Sequence, residues 1–161
     1  MNELFCDGGV VKVNPSPVGG TWAYRVLADG IVQCEQSGIT TPGMAQMLTI
    51  SNNLTEMLAV VRGLQSLPID WQGTIYSDSQ ITLGRIFLGW KWHNIPAWLA
   101  LEFRNERARL VNFSQIQHVL LDGHPTKAQL AAGLGHGGHP VNINNVWCDS
   151  ACGKAALSFT A

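Results

Sequence analysis

The stretch TWAYRVLADGIVQCEQSG, residues 21–38, decides how the chain is laid out. Two runs rich in β-branched and aromatic residues flank Asp29-Gly30. An Asp-Gly pair in that setting closes a two-residue hairpin, because both positions accept a positive φ. Upstream, ELFCDGGVV followed by the turn-rich NPSPVGG supplies one more strand, so the N-terminal part predicts an antiparallel meander.

Beyond Asn53 the period changes. Leu54, Met57, Leu58, Val61, Leu64 and Leu67 recur at helical spacing, with Pro68 just past the end. GTIYSD reads as a short strand and SQITLGRIFLGW as a helix. PAWLALEFRNERARL reads as a further helix with Pro96 in its first turn. SQIQHVLL is a fifth strand, and a long glycine-rich loop leads from it to a last helix beginning near Asn145. The order β-β-β-α-β-α-α-β-α implies an α/β fold, a mixed sheet with helices packed on it. No repeat, linker or low-complexity tract intervenes, so residues 1–161 read as one domain.

A formal charge of −1 excludes a partner held by bulk positive charge; a nucleic acid would need a local basic patch or bound cations. No run approaches the ~18 apolar residues that would span a bilayer. MNELFCDGG has no basic segment leading into an apolar one, so no signal peptide is expected. Four cysteines in 161 residues are too sparse for a disulfide scaffold, and the expectation is a reduced, cytoplasmic protein, monomeric and without an organic cofactor.

Four carboxylates stand out. Asp7 interrupts an apolar strand, where a charge is costly unless it is paired or bound to a cation. The others each have a local explanation. Glu56 could complete a capping box with Asn53, Asp78 could cap the helix after GTIYSD, and Asp149 could complement the dipole in the first turn of the last helix. Gathered in one place, the four would repel one another and require cations, and an all-oxygen set of this kind suits Mg²⁺ or Mn²⁺.

On these residues the chain resembles type I ribonuclease H over nearly its whole length. LFCDGG…NPSPVGG is similar to that family's first strand and turn, ISNNLTEMLAVVRGL to its Asn-Asn-x-x-Glu helix start, TIYSDSQ to its third acidic strand end, and NVWCDSACGKAA to its final acidic helix. The resemblance implies a ribonuclease H-like sheet of three antiparallel strands plus two parallel ones. It further implies endonucleolytic cleavage of the RNA strand of an RNA–DNA hybrid, leaving 5′-phosphate and 3′-hydroxyl ends. Two Mg²⁺ ions would be held by Asp7, Glu56, Asp78 and Asp149, with Mn²⁺ as a possible substitute. By the same resemblance Asn52, Asn53 and Gln80, with Asn14 in the first turn, would meet the minor groove near the 2′-hydroxyls. Amides suit that task because they both donate and accept. A DNA-directed nuclease or transposase-like domain of the same fold, or a hybrid-binding module without activity, are the alternatives.

An auxiliary histidine of the family lies between the fifth strand and the last helix, and two residues compete for it. His124 follows the strand directly in QIQHVLLDGHP, whereas His136 sits in GHGGHP, which resembles the family's local text but lies a dozen residues further on. Position relative to the strand favours His124. His136, His139, Cys148 and Cys152 could alternatively form a zinc site, although Cys148 and Cys152 fall on one helix. Many bacterial members of the family carry a basic handle between the central helices. FLGWKWHNIPAWLALEFRNERARL is short there, with only Trp90, Lys91 and Trp92 as a cation-and-aromatic patch. Arg104, Arg107 and Arg109 with their glutamates read as a solvated helix face.

Overall fold

In a computed structural model, described for residues 1–159, the meander is built from β1 (Asn2–Val10), β2 (Gly20–Ala28) and β3 (Ile31–Thr40). The turn joining β2 to β3 places Asp29 at φ 50° and Gly30 at φ 76°, the positive angles that the Asp-Gly pair allows. β4 (Thr74–Ser77) and β5 (Gln117–Leu120) complete a sheet of order β3-β2-β1-β4-β5. The pairs β1·β2 and β2·β3 are antiparallel, while β1·β4 and β4·β5 are parallel. The mixed five-stranded sheet is therefore the one expected.

Alternation along β1 distributes the core between two layers. Leu4 and Cys6 join the larger apolar cluster with Leu54, Met57, Leu58 and Val61 of α2 (Asn52–Gln65). Phe5 faces the smaller one with Cys148, Ala151 and Cys152 of α6 (Ile143–Ala156). Gly63 sets the spacing on the first side, since a Cβ there would come within 2.9 Å of the Leu4 side chain. Each fully buried Leu or Met contributes about 1.5–3 kcal/mol to this packing.

Several boundaries differ from the expectations. The helix after β4, α3, covers only Gln80–Phe87. Trp90 turns back over Gly84, where a Cβ would lie 2.1 Å from the indole, and the Trp90 amide donates to the Gly84 carbonyl. Gly89, at φ 73° just past the C-cap Leu88, turns the chain out of the helix early. Pro96 is the N-cap of α4 (Ala97–Arg109) rather than a residue of its first turn. A short helix α1 (Pro42–Ala45), capped by Thr41, precedes α2 and was not anticipated. The last helix starts at Ile143, with Asn142 as its cap. The loop before it contains a helix of its own, α5 (Lys127–Ala132), closed by a Thr126/Gln129 capping box.

Candidate metal centre

The parallel pairing of β1 with β4 ends at Phe5 and Tyr76. Two residues beyond each lie Asp7, still within β1, and Asp78, so both carboxylates stand just past the carboxyl end of the parallel β1·β4 pairing, where open α/β sheets place ligands. The start of α2 is brought in by Gly8. A Cβ at Gly8 would lie 2.5 Å from the backbone of Thr55 and 2.6 Å from the Glu56 amide, so only glycine allows strand and helix to touch.

The local explanations for three of the carboxylates do not hold. Ser51 caps α2 and accepts from the Leu54 amide, which places Glu56 beyond the first turn and outside any capping box. Ser79, not Asp78, caps α3. Asn142 caps α6, so Asp149 lies in its second turn, away from the exposed amides. Serine and asparagine take the capping roles, and the acidic groups are left for something else.

Ligand atoms of Asp7, Glu56 and Asp78 all lie within 4.8 Å of one another. Asp7 and Glu56 are only 4% and 3% exposed, so water does little to screen them. Burial, with the charge of Asp78 beside it, pushes the Asp7 carboxyl up to about 8. Burial also raises Glu56 well above the usual carboxylate range, followed by the charges of Asp7 and Asp78. Glu56 Oε2 is buried without a hydrogen-bond partner. Asp78 is raised by burial as well, opposed by a hydrogen bond from Asn145 and by the neighbouring His124. Crowded carboxylates and an orphaned buried oxygen are what a hard divalent cation corrects, so these residues fit Mg²⁺ or Mn²⁺.

Asp149 stands at the rim, its side chain about half exposed, outside the tight group of three. His124 Nδ1 lies 3.6 Å from Asp149 Oδ2, and the imidazole is largely exposed. Gly123 lets the loop pass this close, because a Cβ there would come within 2.7 Å of Asp78 Oδ2. His136 lies in an exposed turn at the tip of a small hairpin closed by Leu134 and Pro140.

Asp122 ties that hairpin to the end of β5. Its carboxylate accepts from the amides of Gly137 (2.7 Å) and His139 (3.1 Å) and from the His139 ring (3.1 Å). Burial opposes ionisation, but these hydrogen bonds together hold Asp122 below the usual carboxylate range. Cys148 and Cys152 instead direct their thiols at the carbonyls of Phe5 and Asp7, and burial raises both. Among the described residues the only metal-competent cluster is the acidic one, and the zinc arrangement is not formed.

The amide residues gather at the same end. Asn52 and Asn53 open α2, and Asn14 Oδ1 accepts from the Asn52 amide at 2.9 Å. Gln80 is exposed at the start of α3. Asn145, the asparagine that opens NVWCD, is an additional site residue to which the motif alone gives no role. It is 2% exposed, donates through Nδ2 to Asp78 Oδ2 at 3.3 Å, and leaves its own Oδ1 unpartnered. The available signal was its place one helical turn before Asp149, on the same face of α6.

Comparison with known proteins agrees with this geometry. The family model for RNase H matches residues 2–157. A ribonuclease H of Campylobacter curvus is 27% identical over 157 residues, covering 97% of this chain and 93% of the relative. One from Psychromonas ingrahamii is also 27% identical, over 96% of this chain and 89% of its own length. Among solved structures, LC11-RNase H1 in complex with an RNA/DNA hybrid superposes with a TM-score of 0.68 at 14% identity, with both chains fully covered. The N-terminal RNase H domain of a Mycobacterium tuberculosis protein gives 0.67 at 15% identity, covering 99% of this chain and 95% of that one. With its sheet order, its acidic cluster and a family match from end to end, the chain belongs to the RNase H family of enzymes.

Proposed function

We propose that this chain is a single-domain, monomeric endonuclease that hydrolyses the RNA strand of RNA–DNA hybrids, leaving 5′-phosphate and 3′-hydroxyl ends. The observation that carries the reading is the buried cluster of Asp7, Glu56 and Asp78, whose ligand atoms lie within 4.8 Å of one another. These three residues, with Asp149 at the rim, would hold two Mg²⁺ ions. When bound, the ions supply activation of the attacking water and charge stabilisation at the leaving oxygen.

The chain's own residues do the rest. Asp7 and Glu56 sit buried at the floor of the site. Asn145 orients the Asp78 carboxylate. Water adds to phosphorus as the P–O3′ bond breaks, and the departing 3′-oxygen takes up a proton. His124 is placed beside Asp149 to move protons at this rim, with His136 as the alternative. Asn52, Asn53 and Gln80 present amides to the minor groove, where a 2′-hydroxyl distinguishes RNA from DNA. Asn14 supports Asn52 through its backbone amide. The four free thiols support a reducing, cytoplasmic setting, and among the described residues no helix is long and apolar enough to cross a membrane.

The test uses a labelled RNA–DNA hybrid, a DNA duplex and an RNA duplex, each with Mg²⁺ or Mn²⁺. Cleavage confined to the RNA strand of the hybrid is expected. Cutting of the DNA duplex would favour a DNA-directed nuclease of the same fold. A hybrid that is bound but left intact would identify a binding module.

A further inference from the structure

A groove of about 950 Å³ lies between the end of α3, α4 and the start of β5, and the metal-centre reading makes no use of it. Arg85, Arg104 and Arg107 line it together with Trp90, Phe113 and His118. Three of the chain's ten Lys and Arg residues thus converge here, and among the described residues that line the groove none is acidic. In a chain of net charge −1, that is a local reversal of sign. Arg104 and Arg107 are exposed, and the Arg107 guanidinium stands 5.9 Å over the Phe113 ring. Arg85 is 9% exposed and ties down the loop through the carbonyls of Lys91 and His93. Its Nη1 has no partner, so it adds charge that no acid neutralises.

Flat rings accompany the cations. Trp90 is 42% exposed over Gly84, and His118 is exposed on β5 with its ring stacked on Phe87 at 4.5 Å. Cations beside exposed aromatic faces recognise a flexible polyanion that carries flat bases, which is a single nucleic-acid strand. The volume is that of a pocket for a drug-sized molecule, so a strand of a few nucleotides fits and a duplex does not. The groove is also within reach of the metal centre. α3 starts beside Asp78 and ends in the groove, and its eight residues span about 12 Å at ~1.5 Å each, a distance of three or four nucleotides.

We propose that this groove binds a single-stranded extension of the nucleic-acid substrate, with phosphates on Arg104 and Arg107 and bases stacked on Trp90 and His118. The proposal rests on the nuclease reading for the identity of the substrate.

The experiment compares a blunt hybrid, the same hybrid with a single-stranded DNA extension, and the free single-stranded oligonucleotide. Binding is measured by fluorescence anisotropy across a salt series, and cleavage separately. Wild type should bind the extended hybrid about 10-fold tighter than the blunt one. The double variant Arg104→Ala/Arg107→Ala should lose that advantage while cleaving the blunt hybrid normally. Its log–log salt slope for the free strand should fall by about 1.4, two contacts at ~0.7 each. Arg104→Lys/Arg107→Lys should restore most of the slope, separating charge from packing. Equal wild-type affinity for blunt and extended hybrids, or an unchanged slope in the double alanine variant, overturns the proposal. If wild type cleaves no hybrid but the slope still falls on the free strand, the nuclease reading fails and the groove stands.

Discussion

Replacing Asp7 by asparagine should stabilise the metal-free protein at alkaline pH while abolishing hydrolysis. The Asp7 carboxyl is raised to about 8 in the folded chain by burial and by Asp78, against about 3.9 when unfolded. A raised folded value means that the favourable contribution is complete below the unfolded value and is lost as pH climbs towards 8. At about 1.4 kcal/mol per pH unit, the penalty accumulated between pH 4 and pH 8 has a ceiling near 5 kcal/mol. Water entering the cleft will absorb part of it. We therefore expect Asp7→Asn to exceed wild type by about 2–4 kcal/mol at roughly pH 8, and by about 1 kcal/mol at roughly pH 5. Urea unfolding in a chelator at both pH values measures the gap. Mg²⁺ at about 100 times its dissociation constant should then add about 2.7 kcal/mol to wild type and little to the variant. A variant no more stable than wild type at the higher pH would refute the idea that these carboxylates repel one another in the folded chain.

Other outcomes follow from the same geometry. His124→Ala should lower turnover about 100-fold, the low end of what a positioned acid or base contributes, with His136→Ala near wild type; the reverse ranking would transfer the role to the hairpin tip. Asn145→Ala frees Asp78 to rotate and should weaken Mn²⁺ binding about 10- to 100-fold, read by isothermal titration without substrate. Gly8→Ala drives a methyl group into the backbone of Thr55 and should cost about 1–3 kcal/mol in thermal unfolding, or more if α2 cannot shift. An alanine variant of wild-type stability would show that strand and helix separate readily.

The parts of the fold that were legible in the sequence were those governed by local rules. Asp29-Gly30 announced its hairpin through φ, and the leucines of α2 announced their helix through spacing. Tertiary contacts were not legible. The stop at Phe87 was a local signal passed over, since Gly89 at φ 73° takes the left-handed position just past the cap Leu88, whereas the fold-back of Trp90 onto Gly84 could not be read from SQITLGRIFLGW. The site shows the same division. The four acidic positions could be picked out because their residue types are informative, but capping explained three of them until Ser51, Ser79 and Asn142 proved to hold those places. Asn145 stood at the head of NVWCD without a role, and only its bond to Asp78 gives it one. The segment after β5 read as a long glycine-rich loop, whereas Asp122, Thr126 and Gln129 give it internal structure through bonds that a one-dimensional reading cannot place.

Asp122 has a further consequence. By accepting from Gly137 and His139 while its own amide donates to the Pro140 carbonyl, it closes a neck between the strand end and the approach to α6. The segment from Pro125 to Leu134 loops out beyond that neck and is exposed or half-buried throughout. Doubling the length of such a closed segment costs only about 0.6 kcal/mol in loop entropy. The segment can therefore lengthen at little entropic cost without drawing on the contacts that hold His139 and Pro140 at the strand end.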